Sequence, residues 1–238
     1  MLGKVLRTFE DKIGRPEFIT ESGRERFRYP KPTAQIFLVV KCVRVVSTYN
    51  ACHCLLSKGY IQEAHALLRM IYEFINDIDF ISEAHLSGNL SKAQQQMIDL
   101  FFNEDLPNPE ELHNRHTKKP TISRKKIYAT IARILTPHNP DRTQRIVRSI
   151  EEIFSGYVHA AYPHTMEMYV GGPWRFSTNG MAGTPRQSES LRTVISSLSQ
   201  TLNEFAKVAV QFKDVELFKE LIQQRKNLEA SEFYGKKC

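Results

Sequence analysis

The feature that most constrains this chain is a run of apolar residues at helical spacing, broken by single glycines. Ile36, Val39, Val40, Val43 and Val46 recur at the three- and four-residue steps that place side chains on one face of an α-helix. Thr33, just after Pro32, is placed to cap the first turn, and Gly59 supplies the stop. From about Tyr60 to Leu86 a second series follows: Leu67, Leu68, Ile71, Phe74, Ile75, Ile78 and Ile81, ended by Gly88. Two long helices joined across one glycine pack antiparallel, as a helical hairpin. The second is apolar almost all round, which predicts a central position.

The remaining segments extend the pattern. Ser91 caps a shorter helix over about 92–103, and the stretch LPNPEEL breaks it. Ser123 opens a helix ended by TPHNPD, and Asp141 opens another whose apolar face is Ile146, Val147, Ile150, Ile153, Phe154 and Tyr157. A final long helix covers about 188–226, with a bend near Lys213-Asp214. Residues 171–187 form a long glycine-rich loop, with room for a short hairpin at Asn179-Gly180 and with Trp174 and Phe176 as its pins. The expected fold is therefore all-α: an antiparallel helical bundle of five to seven helices. It divides into an N-terminal arm at 1–31, irregular or partly helical and solvated, the bundle at 32–226, and a mobile tail at 227–238.

Charge is distributed unevenly. The chain carries a net +7, yet residues 32–106 hold five Lys or Arg against eight acids. Residues 107–145 hold nine Lys or Arg against three acids. Lys118, Lys119, Arg124, Lys125 and Lys126 are thus the candidate contacts for a nucleic acid, RNA or another anionic partner. Few aromatic residues interleave with them in the chain, so base stacking is not expected there. The most apolar run, IFLVVKCVRVV, is short and contains Lys41 and Arg44, so no membrane span is expected. The N-terminus lacks a signal-peptide pattern, which points to the cytoplasm and to reduced thiols. Cys52 and Cys54, in the sequence CHC, point about 200° apart on a helix and make a poor metal pair. No metal or other cofactor is expected, and a homodimer is compatible with the pattern.

Two polar stripes stand out. On the second helix His65, Arg69, Glu73 and Asn76 lie opposite the apolar face, with Asp77 at the boundary, and Arg69 and Glu73 are four apart. On the helix from Asp141, Arg148, Glu152, Ser155 and His159 fall on one side. Pro163 cannot donate to residue 159, so the helix must kink or end over 159–163.

The segments ALLRMIYEF (66–74) and SGYVHAAYPHTMEMYVGG (155–172) resemble an uncharacterised prokaryotic family of helical proteins. Members carry an Arg-x-x-x-Glu step on one long helix and a Val-His step on a later one. The resemblance implies Arg69, Glu73 and His159 as the positions of interest. A looser similarity is to HEPN and Abi-type helical proteins, many of them metal-independent RNases of defence or toxin systems. Their Arg-to-His spacing of four to six residues recurs here as Arg133 to His138, where Pro137 and Pro140 place the histidine in a loop. That similarity implies His159 as the proton-transfer group, Arg69 as the phosphate-holding group and Glu73 as its support. The alternative is a non-catalytic module for nucleic acid, protein binding or assembly, in which both stripes are structural ion pairs. Catalysis by the first reading requires the two helices to be neighbours.

Overall fold

A computed structural model describes residues 1–21, 24–86, 88–103, 121–170 and 174–231. Among them the chain forms nine helices and two short strand pairs, in the order α1 (Leu2–Ile13), β1 (Glu17–Glu21), β2 (Arg24–Arg28), α2 (Ala34–Ser57), α3 (Ile61–Leu86), α4 (Lys92–Phe102), α5 (Arg124–Leu135), α6 (Pro140–Val158), α7 (Tyr162–Met166), β3 (Tyr169–Val170), β4 (Arg175–Phe176), α8 (Pro185–Gln211) and α9 (Val215–Glu229). The all-α class is as the periodicity predicts. The surplus over five to seven helices comes from α1, from the single turn α7 and from the division of the last helix into α8 and α9. That division falls at Lys213, whose φ of 56° ends one helix, and at Asp214, whose carboxylate caps the next.

The capping chemistry follows the sequence. The Thr33 hydroxyl accepts from the Ile36 amide, and Ser91 with Gln94 forms a reciprocal capping box. Gly59 sits at φ 79°, a left-handed conformation two residues past the end of α2 and next to its C-cap Lys58. It turns the chain into α3, which packs against α2, α5, α6 and α8. The core is built from Phe37, Leu38 and Cys42 of α2, Leu68, Ile71, Ile75 and Ile78 of α3, and Leu202, Phe205 and Val208 of α8, all fully buried. At a buried fraction typical of such a chain, one core of this kind suffices for a single domain.

The N-terminal arm departs from expectation. The first part of this arm is not solvated: α1 lays Val5, Leu6 and Phe9 onto the core, and Phe9 stacks on Phe212 and meets Phe205 edge-on, whereas no described side chain of 14–31 is buried. Three apolar residues at helical spacing within MLGKVLRTFEDKIG carry that face. β1 and β2 then pair antiparallel, with Phe18 opposite Phe27, and Arg28 donates to the Phe102 carbonyl at the end of α4.

The glycine-rich segment also differs. Its hairpin is the β3–β4 pair, with Tyr169 opposite Phe176, so the turn precedes Asn179-Gly180. Trp174 is 78% exposed and Phe176 is exposed, and neither pins the loop. The pin is backbone: the Met181 amide donates to the Gly59 carbonyl at 2.7 Å, and a Cβ on Gly59 would lie 2.1 Å from the Ala182 nitrogen. Two glycines, Gly59 and Gly180, let the loop lie directly on the α2–α3 turn. In the tail α9 continues to Glu229, which accepts from Ser199 and Arg225, and residues 232–238 lie outside the described residues. Among the described residues no helix is long and apolar enough to cross a membrane.

Candidate functional site

α6 lies against α3, as the two polar stripes require. The group that meets Arg69 from α6 is Glu151. Arg69 donates to Glu151 at 2.6 Å and through its other terminal nitrogen to Glu73. Glu73 stands 3.7 Å from Arg124 of α5, and Arg124 donates at 2.5 Å to Asp77. Asp77 also accepts from Lys41 of α2 at 2.8 Å. One chain of alternating charge thus runs Glu151–Arg69–Glu73–Arg124–Asp77–Lys41 and stitches four helices. Asp77 is its anchor: the side chain is 2% exposed, and only two cations on one carboxylate make that burial tolerable. Burial alone would lower the Arg124 pKa, but the Asp77 and Glu73 carboxylates more than offset it and leave it raised. Burial and the hydrogen-bonded Glu151 hold the Tyr128 phenol well above its ordinary range.

This geometry decides what Arg69 can do. Both terminal nitrogens are committed to carboxylates, and the space beside it is about 20 Å3. That volume admits a water but not a phosphate. His159 does not converge on it. The residue caps the C-terminal end of α6, is exposed, and lies eight residues beyond Glu151, about 12 Å along the helix axis. The expected Arg69–Glu73–His159 constellation is therefore present as a pair, with a carboxylate where the imidazole was expected. The helix break is where Pro163 predicts: α6 ends at Val158, Ala160 adopts φ 49°, and α7 restarts with the proline in its first turn.

The histidines that are brought together are others: His65 of α3 and His164 of α7 both contact the ring of Tyr157 on α6. His65 is buried, its ring 4.5 Å from Tyr157 and 5.9 Å from Phe154, and neither ring nitrogen has a hydrogen-bond partner among the described residues. Burial, then the nearby Arg186 and His164, depress its pKa to about 4, so it is neutral at pH 7. His164 stacks on Tyr157 at 4.0 Å and stands 3.8 Å from Glu167. Glu167 gathers Gln62 at 3.1 Å, Tyr157 at 3.3 Å and Arg186 of α8. The sequence signal for this second cluster is Gly156: a Cβ there would lie 2.3 Å from the His164 ring, so glycine is what admits the stacked imidazole. Among the described residues no group of three or more His, Cys, Asp or Glu is placed to hold a metal. Cys42 and Cys52 are buried thiols and Cys54 is exposed.

The basic residues divide by environment. Arg124 is half-buried in the ion chain, whereas Lys125 and Lys126 are exposed at the start of α5. Lys118 and Lys119 lie outside the described residues. Farther along the antiparallel α5–α6 hairpin, Arg133, Arg142, Arg145 and Arg148 are exposed, while the exposed acids of the two helices are Asp141 and Glu152. Among the described residues the α5–α6 hairpin thus presents six exposed cations against two exposed acids. Arg145, Arg148, Glu152, Ser155 and His159 follow one another along a single stripe of α6. No family model matches this chain, no curated protein matches it, and no solved structure matches it.

Proposed function

We propose that this protein is a nucleic-acid-binding helical bundle, and that RNA is the polyanion it receives along the α5–α6 hairpin. The observation that carries the reading is the excess of exposed cations there: Lys125, Lys126, Arg133, Arg142, Arg145 and Arg148. Arg124 supports the first turn of α5 from within and is held by Asp77, so the helix that presents Lys125 and Lys126 is fixed to the core. A single strand that covers about five of these charges releases its counterions, and log K then falls with log salt at a slope of about −3.5. Fluorescence anisotropy of a labelled 12-nucleotide RNA tests this. Affinity is expected to fall about 100-fold between 50 and 200 mM salt. Replacing Lys125, Lys126 and Arg133 by Gln together is expected to weaken binding and flatten the slope. Binding that ignores both salt and these substitutions overturns the proposal.

One observation favours a second reading, a metal-independent RNase of the HEPN-like kind. His159 is exposed and continues the stripe that carries Arg145 and Arg148. A strand lying on that stripe brings its 2′-hydroxyls to an imidazole suited to proton transfer. Arg69 is not the phosphate-holding group in this version, because Glu73 and Glu151 occupy it. Incubating the labelled RNA with protein in EDTA distinguishes the two: cleavage that His159→Ala abolishes supports the enzyme, and intact RNA with undiminished binding leaves the binding module.

A further inference from the structure

We infer that the cavity between α2, α4 and α5 is a binding site for a monocarboxylic acid with a long apolar tail, a site separate from the exposed RNA surface. Its volume is about 680 Å3, within the roughly 300–1,000 Å3 of small-molecule pockets. Phe37, Met97, Phe101 and Ile127 form its apolar walls, and Lys41 and Arg124 stand together at its polar end. Walls of this kind reward an apolar body in proportion to the area removed from water.

The polar end selects the head group. Lys41 and Arg124 share the single carboxylate of Asp77; Arg124 also has Glu73 at 3.7 Å, whereas Lys41 has no second acidic partner among the described residues. Among the described residues the Lys41 ammonium makes one hydrogen bond, to Asp77, and has two more N–H groups to give. It is held among the Phe37, Phe74 and Phe101 rings, 5.2–5.5 Å from each centroid, which keeps it in place without satisfying those donors. Ser123, also on the lining, is the N-cap residue of α5 but its hydroxyl makes no capping bond, so it too is available to a ligand. One carboxylate accepts from these donors and adds a single negative charge beside Asp77. A phosphate dianion would add two, with Glu73 already 3.7 Å from Arg124.

Titration of the 238-residue chain with 11-(dansylamino)undecanoic acid, followed by displacement with straight-chain acids, tests the assignment. Saturable, blue-shifted fluorescence is expected. Two added methylenes are expected to improve displacement about tenfold from octanoate to decanoate and again to dodecanoate. Dodecanol is expected to displace more weakly than dodecanoate, and Lys41→Met to narrow that difference. Met97→Trp, which fills the cavity, is expected to block the probe while leaving 12-nucleotide RNA binding intact, so failure here and failure of the RNA reading are separable. Both variants are checked for native helical content and cooperative melting. The assignment is overturned if the probe does not saturate, if chain length is without effect, if folded Lys41→Met or Met97→Trp binds as the wild type does, or if AMP displaces as well as dodecanoate. Association with phosphatidylglycerol vesicles without capture of free dodecanoate also overturns it.

Discussion

Stability should fall as pH rises above neutrality, and two buried groups set where the fall begins. On α8, Glu204 lies against Asp79 and Glu83 of α3 with Lys207 as the shared cation, at 3.2 Å from Glu204 and from Glu83. Three carboxylates around one ammonium leave an excess of negative charge where water is excluded. Burial, then the neighbouring Asp79, push the Glu204 pKa from 4.5 up to about 8. The native state therefore retains a proton that the unfolded chain releases. That contribution is complete below pH 4.5 and is lost as pH climbs to about 8, at about 1.4 kcal/mol per pH unit. His65 acts in the opposite direction. Its folded pKa of about 4 lies below its ordinary 6.5, so its contribution is complete above pH 6.5 and is lost as pH falls toward 4.

The two slopes are equal and opposite between about pH 4.5 and 6.5, so stability should be level there. Above 6.5 only the carboxylate cluster titrates, and about 1.5 pH units at 1.4 kcal/mol each give a loss of about 2 kcal/mol by pH 8. Urea denaturation at half-unit steps from pH 5 to 8.5 measures this directly, provided the m-value stays constant. Glu204→Gln, which keeps the shape and removes the ionisation, should abolish the decline above pH 6.5 and leave stability rising from pH 4.5 to 6.5. His65→Phe should leave the decline and extend it down to pH 4.5. The cluster titrates as a coupled unit, so the decline belongs to Glu204 and Asp79 together. A wild-type curve that stays level or rises from pH 6.5 to 8.5 refutes the argument. So does a Glu204→Gln curve parallel to the wild type.

Arg69→Met should cost about 2–3 kcal/mol in chemical denaturation, because it leaves Glu73 and Glu151 facing each other with only Arg124 nearby. A loss under 0.5 kcal/mol would place the pair among ordinary surface ion pairs. Gly59→Ala should cost at least about 2 kcal/mol, since it strains a residue at φ 79° and drives a methyl into the Ala182 backbone, breaking the bond from Met181. Thermal melts read the loss, and protease cleavage within 177–183 should accelerate in the same variant.

What the sequence discloses here depends on how local the cause is. Period, caps and stop signals are local, and so α2, α3, α4 and α6 follow from Thr33, Gly59, Ser91, Asp141 and Pro163; α5 begins at the expected Ser123, although its hydroxyl makes no capping bond, and the side-chain cap of α6 is Asn139. The Arg69–Glu73 step is local too, being one turn of one helix. Glu151 is not. It sits on α6 among residues that read equally well as a solvated face, and only the packing of α6 on α3 turns it into the second partner of Arg69. The same packing inverted the histidines. A helical wheel puts His159 on the polar stripe and leaves His164, beyond a proline, without a direction. In the fold the break at Ala160 swings His164 back over Gly156 onto Tyr157, while His159 faces water. Aromatic residues, scarce near Lys118–Lys126 in the chain, reach the cavity that Arg124 lines from elsewhere: Phe37 comes from α2 and Phe101 from α4, the latter because α4 packs on α2. Each revision has one physical origin. A helix carries its polar groups at fixed angles, but which of them end up wet or paired is set by the neighbour. That neighbour is chosen by the apolar face on the other side.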